Sequence, residues 1–306
     1  MVNLSFEALK VARPVHWIKN LSIFAALIFT SRLTDSSLFI KVIWAFIAFN
    51  FATSATYIFN DIVDQKQDRL HPIKKNRPIA SGKLPVNVAF IEAVGLALLS
   101  VLFATRLNHL FQISILTYLI LQVLYSLVLK NQTTIDILVI AIGFVIRIYA
   151  GAFVIDAHLS VWFLLCVISV ALFLAAGKRR SELNTIKENG TTRKSLSKYS
   201  RELLNSYVTM FGNAAWMSWS LFAFFESPRA SLNLWLLLAE ISRTTTIDKL
   251  LMATIPLTIF GIMRYESLIF EDKSEAPEKL LLSDKGLLAS VGLWLMVVLW
   301  VFYAAT

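Results

Sequence analysis

The sequence predicts an all-α membrane protein with nine transmembrane helices, and three observations lead to this fold class. Hydrophobic residues make up 57% of the 306 residues, and the mean hydropathy is +0.66. Apolar runs of about twenty residues recur along the chain, and each is long enough to cross about 30 Å of hydrocarbon. Lysine and arginine concentrate in alternate connecting segments, as the positive-inside rule requires of a polytopic protein.

The apolar runs delimit the spans in chain order. An amphipathic segment at 1–14 precedes them, and we expect it to lie as a short helix on the membrane surface. The expected spans are 17–31, 37–59, 87–106, 110–129, 134–156, 159–177, 203–225, 249–265 and 285–304. The apolar segment 231–242 is too short to cross a membrane and is expected to be interfacial. No linker divides the chain, so we expect one integral membrane domain, 1–306.

The cations predict the orientation. Most of the 29 lysines and arginines fall on one side, above all in two cytoplasmic loops expected at 60–86 and 177–202. This bias predicts a protein of the cytoplasmic membrane with its N-terminus inside and its C-terminus outside. The net charge of +9 could suggest nucleic acid, but the distribution of the cations favours membrane topology over such a partner. The four histidines lack metal-ligand spacing, which makes a zinc site an unfavoured interpretation.

The polar stretch after the second span carries the most distinctive pattern. Asp61, Asp64 and Asp68 fall within roughly 60° of one another on a helical face. Converging carboxylates require a counter-cation, and hard oxygen ligands suit Mg²⁺. The pattern therefore predicts catalytic aspartates that bind Mg²⁺ together with Asn60. The alternative is a solvated acidic helix end beside a positively charged loop.

Cations follow the aspartates directly and suit the phosphates that Mg²⁺ commonly bridges. We take Arg69, Lys74 and Arg77, together with Asn60, as candidate substrate-binding residues. Lys19 in the segment RPVHWIKN (13–20) is either a phosphate ligand or an ordinary positive-inside lysine, and the sequence leaves both open.

Two further groups flank later spans. Lys178 and Glu182 are spaced for a helical ion pair with Arg179 beside them, which indicates either a phosphate clamp or a weak surface pair. Tyr125, Lys130, Asp136 and Arg147 form the other set of candidate substrate-binding residues. Asp136 and Arg147 share one helical face but lie about 16 Å apart, so they cannot pair with each other. Arg147 either faces substrate or pairs with a neighbouring span.

These motifs together resemble the UbiA superfamily of intramembrane prenyltransferases, and more closely its decaprenyl-phosphate phosphoribosyltransferase branch. The resemblance runs nearly end to end. It rests on RPVHWIKN (13–20), NDIVDQKQDRLHPIKKNRPIASG (60–82), YSLVLKNQTTIDI (125–137), GFVIRIYAG (143–151), AAGKRRSEL (175–183) and the RYESL…PEKLLLSD arrangement (264–284). The second motif, 178–188, lacks the Asp-x-x-x-Asp pattern of aromatic prenyltransferases and has adjacent cations instead, which fits a more anionic pair of substrates.

The resemblance implies nine transmembrane helices around a central cavity that opens to lipid. It implies Mg²⁺ on the aspartates and transfer of phosphoribose from 5-phosphoribosyl 1-diphosphate to a polyprenyl phosphate at the cytoplasmic face. Two alternatives stay open. One is a UbiA-type enzyme that moves a prenyl group from a prenyl diphosphate to an aromatic or small acceptor. The other is a secondary transporter, whose charges would more typically lie near mid-membrane.

Overall fold

The computed structural model describes residues 4–71, 74–189, 198–228, 249–271 and 283–304, with the backbone alone over 184–189. Every regular element in these ranges is helical, which confirms the predicted all-α class. The chain divides into two compact units, Met1–His158 with Thr185–Tyr199 and Leu159–Asn184 with Ser200–Thr306. That the chain forms one integral membrane domain stays a prediction.

The first unit is built around one long helix, α3. Its α-helices are α1 (Leu4–Val11), α2 (Ala25–Phe29), α3 (Ser36–Val63), α4 (Gln65–Leu70), α5 (Val86–Ala104), α6 (His109–Leu127) and α7 (Ile135–Val154). Short 3-10 helices cover Pro14–Phe24, Lys74–Asn76 and Leu129–Asn131. Helix α3 packs against α5, α6, α7 and the first of these 3-10 helices. Its position at the centre explains why its buried residues include many small ones, which allow helices to approach closely.

The second unit contains three long helices and most of a fourth, since residues 185–189 at the end of α8 belong to the first unit. They are α8 (Val161–Asn189), α9 (Arg201–Phe225), α10 (Ile255–Phe270) and α11 (Lys285–Tyr303), and a 3-10 helix at Leu250–Thr254 precedes α10. Helix α10 packs against α9 and α11. At Gly177 of α8, an added Cβ would lie 2.8 Å from the Tyr265 hydroxyl and 2.7 Å from Ile269. Glycine at this position therefore allows α8 to lie directly on α10.

Six helices of the described residues are long and apolar enough to cross a membrane. They are α3, α5, α6, α7, residues Val161–Leu183 of α8, and α11. The expected spans 17–31, 203–225 and 249–265 are also helical, but they do not join this set. The count of nine spans therefore stays a prediction. The segment 231–242, expected to be interfacial, lies outside the described residues.

Polar side chains determine where several helices begin, since the first backbone N–H groups of a helix have no partner within it. The carboxylate of Asp35 accepts hydrogen bonds from Ser37 and Leu38 at the start of α3. Asn108, Ser200 and Asp284 cap α6, α9 and α11 in the same way.

The charged segments are more helical than the sequence suggests. The expected loop at 60–86 begins with the last turn of α3 and continues as α4. In the segment expected as a cytoplasmic loop at 177–202, α8 runs on to Asn189, so the first half of the segment is helical; its cytoplasmic location stays a prediction. Lysine, arginine, glutamate and leucine are good helix formers, so charge density alone does not end a helix. Lys178, Arg179 and Glu182 accordingly lie on α8.

Candidate active site

The three aspartates lie where α3 ends. Asp61 is in the last turn of α3, Asp64 is the residue at which α3 stops and α4 begins, and Asp68 lies on α4. All three carboxylates are buried. A buried charge is stable only when it is paired and hydrogen-bonded, so the partners of these carboxylates define the site.

Arg77 bridges two of the carboxylates. Its Nη1 atom lies 3.0 Å from Oδ1 of Asp61 and 2.6 Å from Oδ2 of Asp68. Arg77 follows the short 3-10 helix Lys74–Asn76, which turns the chain back toward α4. The sequence identified Arg77 as a candidate phosphate ligand, and the structure brings its guanidinium directly onto the aspartates.

Arg13 also binds Asp61. Its Nη2 atom lies 2.6 Å and 2.8 Å from the two carboxylate oxygens, and its guanidinium lies over the ring of Tyr57 with 5.1 Å to the centroid. Arg13 has φ 53°, a left-handed conformation that is uncommon for arginine. The hydroxyl of Ser54 fixes the adjoining chain, since it donates to the carbonyl of Ala12.

The same hydroxyl of Ser54 accepts a hydrogen bond of 3.0 Å from the indole of Trp17. The 3-10 helix Pro14–Phe24 is thereby anchored on α3 from both sides of Arg13. Sequence reasoning selected Lys19 as the candidate ligand of this segment and omitted Arg13 from the site. Lys19 lies within the 3-10 helix and is partly buried. The signal for Arg13 was its place in the same motif, RPVHWIKN.

Lys130 supplies the third cation. It lies in the 3-10 helix Leu129–Asn131, is buried, and forms an ion pair with Oδ1 of Asp64. Its ammonium also lies 3.4 Å from Oδ1 of Asn60, and the amide of Asn60 donates to Oδ2 of Asp64 at 3.1 Å. The predicted residues Asn60, Asp64 and Lys130 thus form one contact group.

The site therefore balances three buried carboxylates with three cations. Removing one partner of a buried ion pair is strongly destabilising, because it leaves a charge without compensation. Burial raises the pKa of Asp68, while the charges of Arg77 and Lys74 oppose that rise and the charge of Asp61 adds to it. Lys74 is thus close enough to act electrostatically on the cluster.

The donor chemistry of the cluster fits Mg²⁺. Asn60 and the three aspartates offer oxygen ligands. The ammonium of Lys130 lies against Oδ1 of Asn60 and Oδ1 of Asp64, so these two oxygens accommodate a compact cation. Among the described residues, no group of three or more His, Cys, Asp or Glu side chains encloses a metal position by itself. Such a site suits an ion that binds one or two carboxylates and completes its shell with water and substrate phosphates.

The structure also describes two further candidates, Arg69 and Tyr125. Arg69 is exposed, and its Nε donates to the carbonyl of Ala80 at 3.1 Å. Tyr125 lies near the end of α6 and is half-buried. The hydrogen bond from Arg69 to Ala80 holds the returning segment against α4. No contact in the described part of the chain brings its guanidinium to an aspartate.

Asp136 is held by a tyrosine from a distant part of the chain. It is fully buried at the start of α7, and its Oδ1 accepts a hydrogen bond of 2.7 Å from the hydroxyl of Tyr199. The same hydroxyl accepts a hydrogen bond of 2.6 Å from the backbone N–H of Thr134. Thr134 has φ 71°, so this contact secures a strained residue just before α7. Tyr199 was not identified from the sequence.

Arg147 belongs to a separate buried network. Its guanidinium donates to Oδ1 of Asn20 at 2.7 Å, to the carbonyl of Gly143 at 2.8 Å and to the hydroxyl of Tyr118 at 2.8 Å. Asn20 in turn donates to Oδ1 of Asn50 at 2.7 Å. The sequence left open whether Arg147 faces substrate or pairs with a neighbouring span. These contacts correspond to pairing with neighbouring helices. In the described part of the chain, Arg147 makes no ion pair with an aspartate.

The second charged motif belongs to the second unit. Arg179 is fully buried and pairs with Glu182 one turn further along α8, while Lys178 is partly buried. The neighbouring Arg180 donates to Oδ1 of Asn205 on α9 at 2.6 Å and lies over the ring of Phe270. Glu182 therefore pairs with Arg179 at i, i+3, and the predicted partner Lys178 lies at i, i+4 on the same helix. Arg180 and Asn205 were not identified from the sequence.

Comparison with known proteins agrees with this architecture. The UbiA prenyltransferase family matches residues 20–186. Decaprenyl-phosphate phosphoribosyltransferase of Mycolicibacterium smegmatis is 35% identical over 290 residues, which cover 93% of this chain and 89% of that protein. Decaprenyl-phosphate phosphoribosyltransferase of Corynebacterium glutamicum is 33% identical over 306 residues, which cover 98% of this chain and 88% of that protein.

The fold agrees as well. The structure of a UbiA homolog from Archaeoglobus fulgidus bound to DMAPP and Mg²⁺ superposes with a TM-score of 0.70 at 18% identity, covering 97% of this chain and 99% of that chain. At that identity the likeness concerns the fold alone. With the family match across more than half of the chain and relatives that align nearly end to end, the protein belongs to the UbiA prenyltransferase family.

Proposed function

We propose that this protein transfers phosphoribose from 5-phosphoribosyl 1-diphosphate to a polyprenyl phosphate and releases pyrophosphate. The observation that carries the proposal is the buried cluster in which Arg13, Arg77 and Lys130 pair with Asp61, Asp64 and Asp68. A cluster with equal numbers of cations and carboxylates can bind a metal and a polyanion together. The relatives named decaprenyl-phosphate phosphoribosyltransferase support this choice of substrates.

The carboxylates and cations have complementary tasks in this proposal. Mg²⁺ would be held by one or two carboxylates at a time from the set Asp61, Asp64 and Asp68, together with Asn60, and it would neutralise charge on the leaving pyrophosphate. Arg13, Arg77 and Lys130, which bind the carboxylates in the structure, would then bind phosphate oxygens of the donor. Lys74 would add positive charge at the same place. Groups that are already positioned and partly desolvated stabilise developing negative charge strongly.

The bond changes require no strong base. An oxygen of the lipid phosphate attacks the anomeric carbon of the donor, and the bond from that carbon to the diphosphate oxygen breaks. The bonding electron pair leaves with the pyrophosphate. Because the attacking phosphate is already anionic, no proton has to be removed from it. The apolar helices would keep water from the donor and so limit its hydrolysis.

The remaining predicted residues have subsidiary roles. Lys19, Arg69, Tyr125, Asp136, Arg147, Lys178, Arg179 and Glu182 are proposed to bind substrate or to position groups that do. For Asp136 and Arg147, the hydrogen bonds to Tyr199 and Asn20 favour positioning over direct contact.

We further propose nine transmembrane helices around a central cavity, in the cytoplasmic membrane, with the N-terminus inside, the C-terminus outside and the site on the cytoplasmic side. The concentration of cations at 60–86 and 177–202 supports this orientation.

The proposal is tested by following radiolabel from phosphoribosyl diphosphate into the lipid phase. The purified protein is incubated with Mg²⁺ and polyprenyl phosphate, and the reaction is repeated with EDTA. Asp61→Asn and Asp64→Asn should lose transfer, whereas Asp156→Asn should retain it. Asp156 is an exposed residue with φ 48°, a conformation that asparagine adopts readily, so it is a matched control.

Two results would overturn the proposal. The first is a lack of label transfer together with consumption of a prenyl diphosphate against an aromatic acceptor, which would establish prenyl transfer instead. The second is undiminished transfer in both Asp61→Asn and Asp64→Asn, which would remove the aspartates from the reaction.

A further inference from the structure

A groove of about 620 Å³ lies on the first unit, between the N-terminal half of α3 and the C-terminal end of α5. Its wall is mainly apolar, and the rings of two lining residues, Trp44 and Phe103, lie 5.4 Å apart between centroids. We call it the distal groove, and it is lined chiefly by Ile40, Lys41, Trp44, Leu102, Phe103 and Arg106.

The distal groove lies far from the aspartates. Lys41 and Asp61 both belong to the continuous helix α3, and their separation in sequence corresponds to about 30 Å along the helix axis. This distance is the thickness of the hydrocarbon core of a bilayer, so the groove and the aspartates face opposite membrane surfaces. Trp44 is 48% exposed, as expected of tryptophans that lie at a membrane–water interface.

Two cations stand at the groove without acidic partners. Lys41 and Arg106 are both exposed, and neither forms an ion pair in the described part of the chain. The acid nearest to Lys41 along the chain, Asp35, accepts hydrogen bonds from the backbone of Ser37 and Leu38 at 2.9 Å and 3.1 Å. The groove therefore combines an apolar wall with two unneutralised positive charges.

We propose that the distal groove binds an anionic glycerophospholipid from the leaflet opposite to the aspartates. The lipid phosphate would lie between Lys41 and Arg106, and one acyl chain would lie along Trp44 and Phe103. Charge complementarity selects an anionic headgroup, and the apolar wall selects a lipid over a free phosphate. This binding is independent of the proposed phosphoribosyl transfer.

The test is native mass spectrometry of the full chain in nonionic detergent. The protein is titrated with phosphatidylglycerol or with phosphatidylcholine of the same acyl chains. A cation near a membrane surface strengthens the binding of anionic lipid about fivefold, so Lys41→Gln with Arg106→Gln should weaken the first phosphatidylglycerol site about 25-fold. The matched control is Lys66→Gln with Lys83→Gln, which removes two exposed cations from the other end of the same unit and should leave that site unchanged.

Three outcomes would overturn the proposal. Equal binding of phosphatidylglycerol and phosphatidylcholine would show that the headgroup is not recognised. Equal weakening in the two double variants would show a general effect of charge. Competition by soluble glycerol 3-phosphate would show a phosphate site that does not use the apolar wall. All four substituted cations are exposed, so the variants should fold, and a melting temperature for each variant verifies this.

Discussion

The ammonium group of Lys130 lies against the carboxylate of Asp64, although the two residues are 66 positions apart in the sequence. This contact joins the 3-10 helix after α6 to the end of α3. Both side chains are largely withdrawn from solvent, so the pair is a fixed part of the site. Any substrate or metal that binds Asp64 must therefore compete with Lys130 or accept it as a neighbour.

Replacing Lys130 with methionine should damage both stability and turnover. The change leaves the Asp64 carboxylate buried without its cation, which costs about 3–5 kcal/mol of unfolding free energy. Turnover should fall at least about 100-fold, as expected when one electrostatic contributor is removed. Unfolding midpoints in detergent and the transfer assay measure the two effects. The double variant Lys130→Met, Asp64→Asn should regain stability but not turnover, and recovery of turnover would contradict a role for the pair in the reaction.

Replacing Arg77 with lysine should reduce turnover about 10- to 100-fold while keeping the charge. The guanidinium bridges Asp61 and Asp68, and a lysine ammonium on a different stem does not reproduce that geometry. The control is Arg32→Lys, which removes a hydrogen bond to the carbonyl of Ile155 elsewhere in the same unit. The control should cost about 1 kcal/mol of stability and leave the rate constants unchanged. Equal turnover in the two variants would exclude a specific role for the bridge.

Helical spacing predicted that Asp61, Asp64 and Asp68 lie near one face; in the structure α3 ends at Asp64, Asp68 lies on α4, and Arg77 bridges Asp61 and Asp68. That these aspartates bind Mg²⁺ stays a prediction. The cations that meet these carboxylates could not be predicted in the same way. Arg13 is 48 positions from Asp61, and such a contact depends on packing of the 3-10 helix Pro14–Phe24 against α3. Hydropathy predicted an apolar span at 17–31, but it carries no information about 3-10 geometry.

The continuation of α8 shows a second limit of prediction from the sequence, which is the position at which a helix ends. Hydropathy falls sharply after Gly177, which indicates the end of a span, whereas helix formation depends on backbone propensity and neighbouring side chains. The residues that follow are good helix formers, and the contact between Arg179 and Glu182 stabilises the same turn. The sequence therefore predicted the end of an apolar span near Gly177 and the charged motif after it, whereas the helix itself continues to Asn189.

Replacing Tyr118 with phenylalanine should destabilise the network around Arg147. The buried hydroxyl of Tyr118 accepts a hydrogen bond from the guanidinium, and its loss should lower the unfolding free energy by about 1.5–3 kcal/mol. The aromatic ring beneath the cation is kept, so the loss reports the hydroxyl alone. Tyr149→Phe on α7 is the control, since the ring of Tyr149 packs against Phe153 and the described residues show no hydrogen bond to its hydroxyl. Equal unfolding midpoints for the two variants would mean that the hydroxyl does not support Arg147.

The start of α11 should become less stable in acid because of Asp284. The carboxylate accepts hydrogen bonds of 3.1 Å and 2.7 Å from Arg264 and one of 2.8 Å from the backbone of Leu287. These bonds, that of Arg264 first, lower the pKa of Asp284 from 3.8 to about 2. A lowered folded-state pKa means that the contribution to stability is complete above the unfolded-state value and is lost as the pH falls toward the folded-state value.

Asp284→Asn keeps a side chain that can cap α11 but removes the charge. The difference in melting temperature between the wild type and this variant should therefore be constant above about pH 5 and should shrink between about pH 4 and pH 2. Arg264→Gln should reduce the same pH dependence, because it removes the largest cause of the lowered pKa. Thermal unfolding in nonionic detergent across this range measures the effect. A difference that persists unchanged to pH 2 would show that the stability of α11 does not depend on the ionised pair.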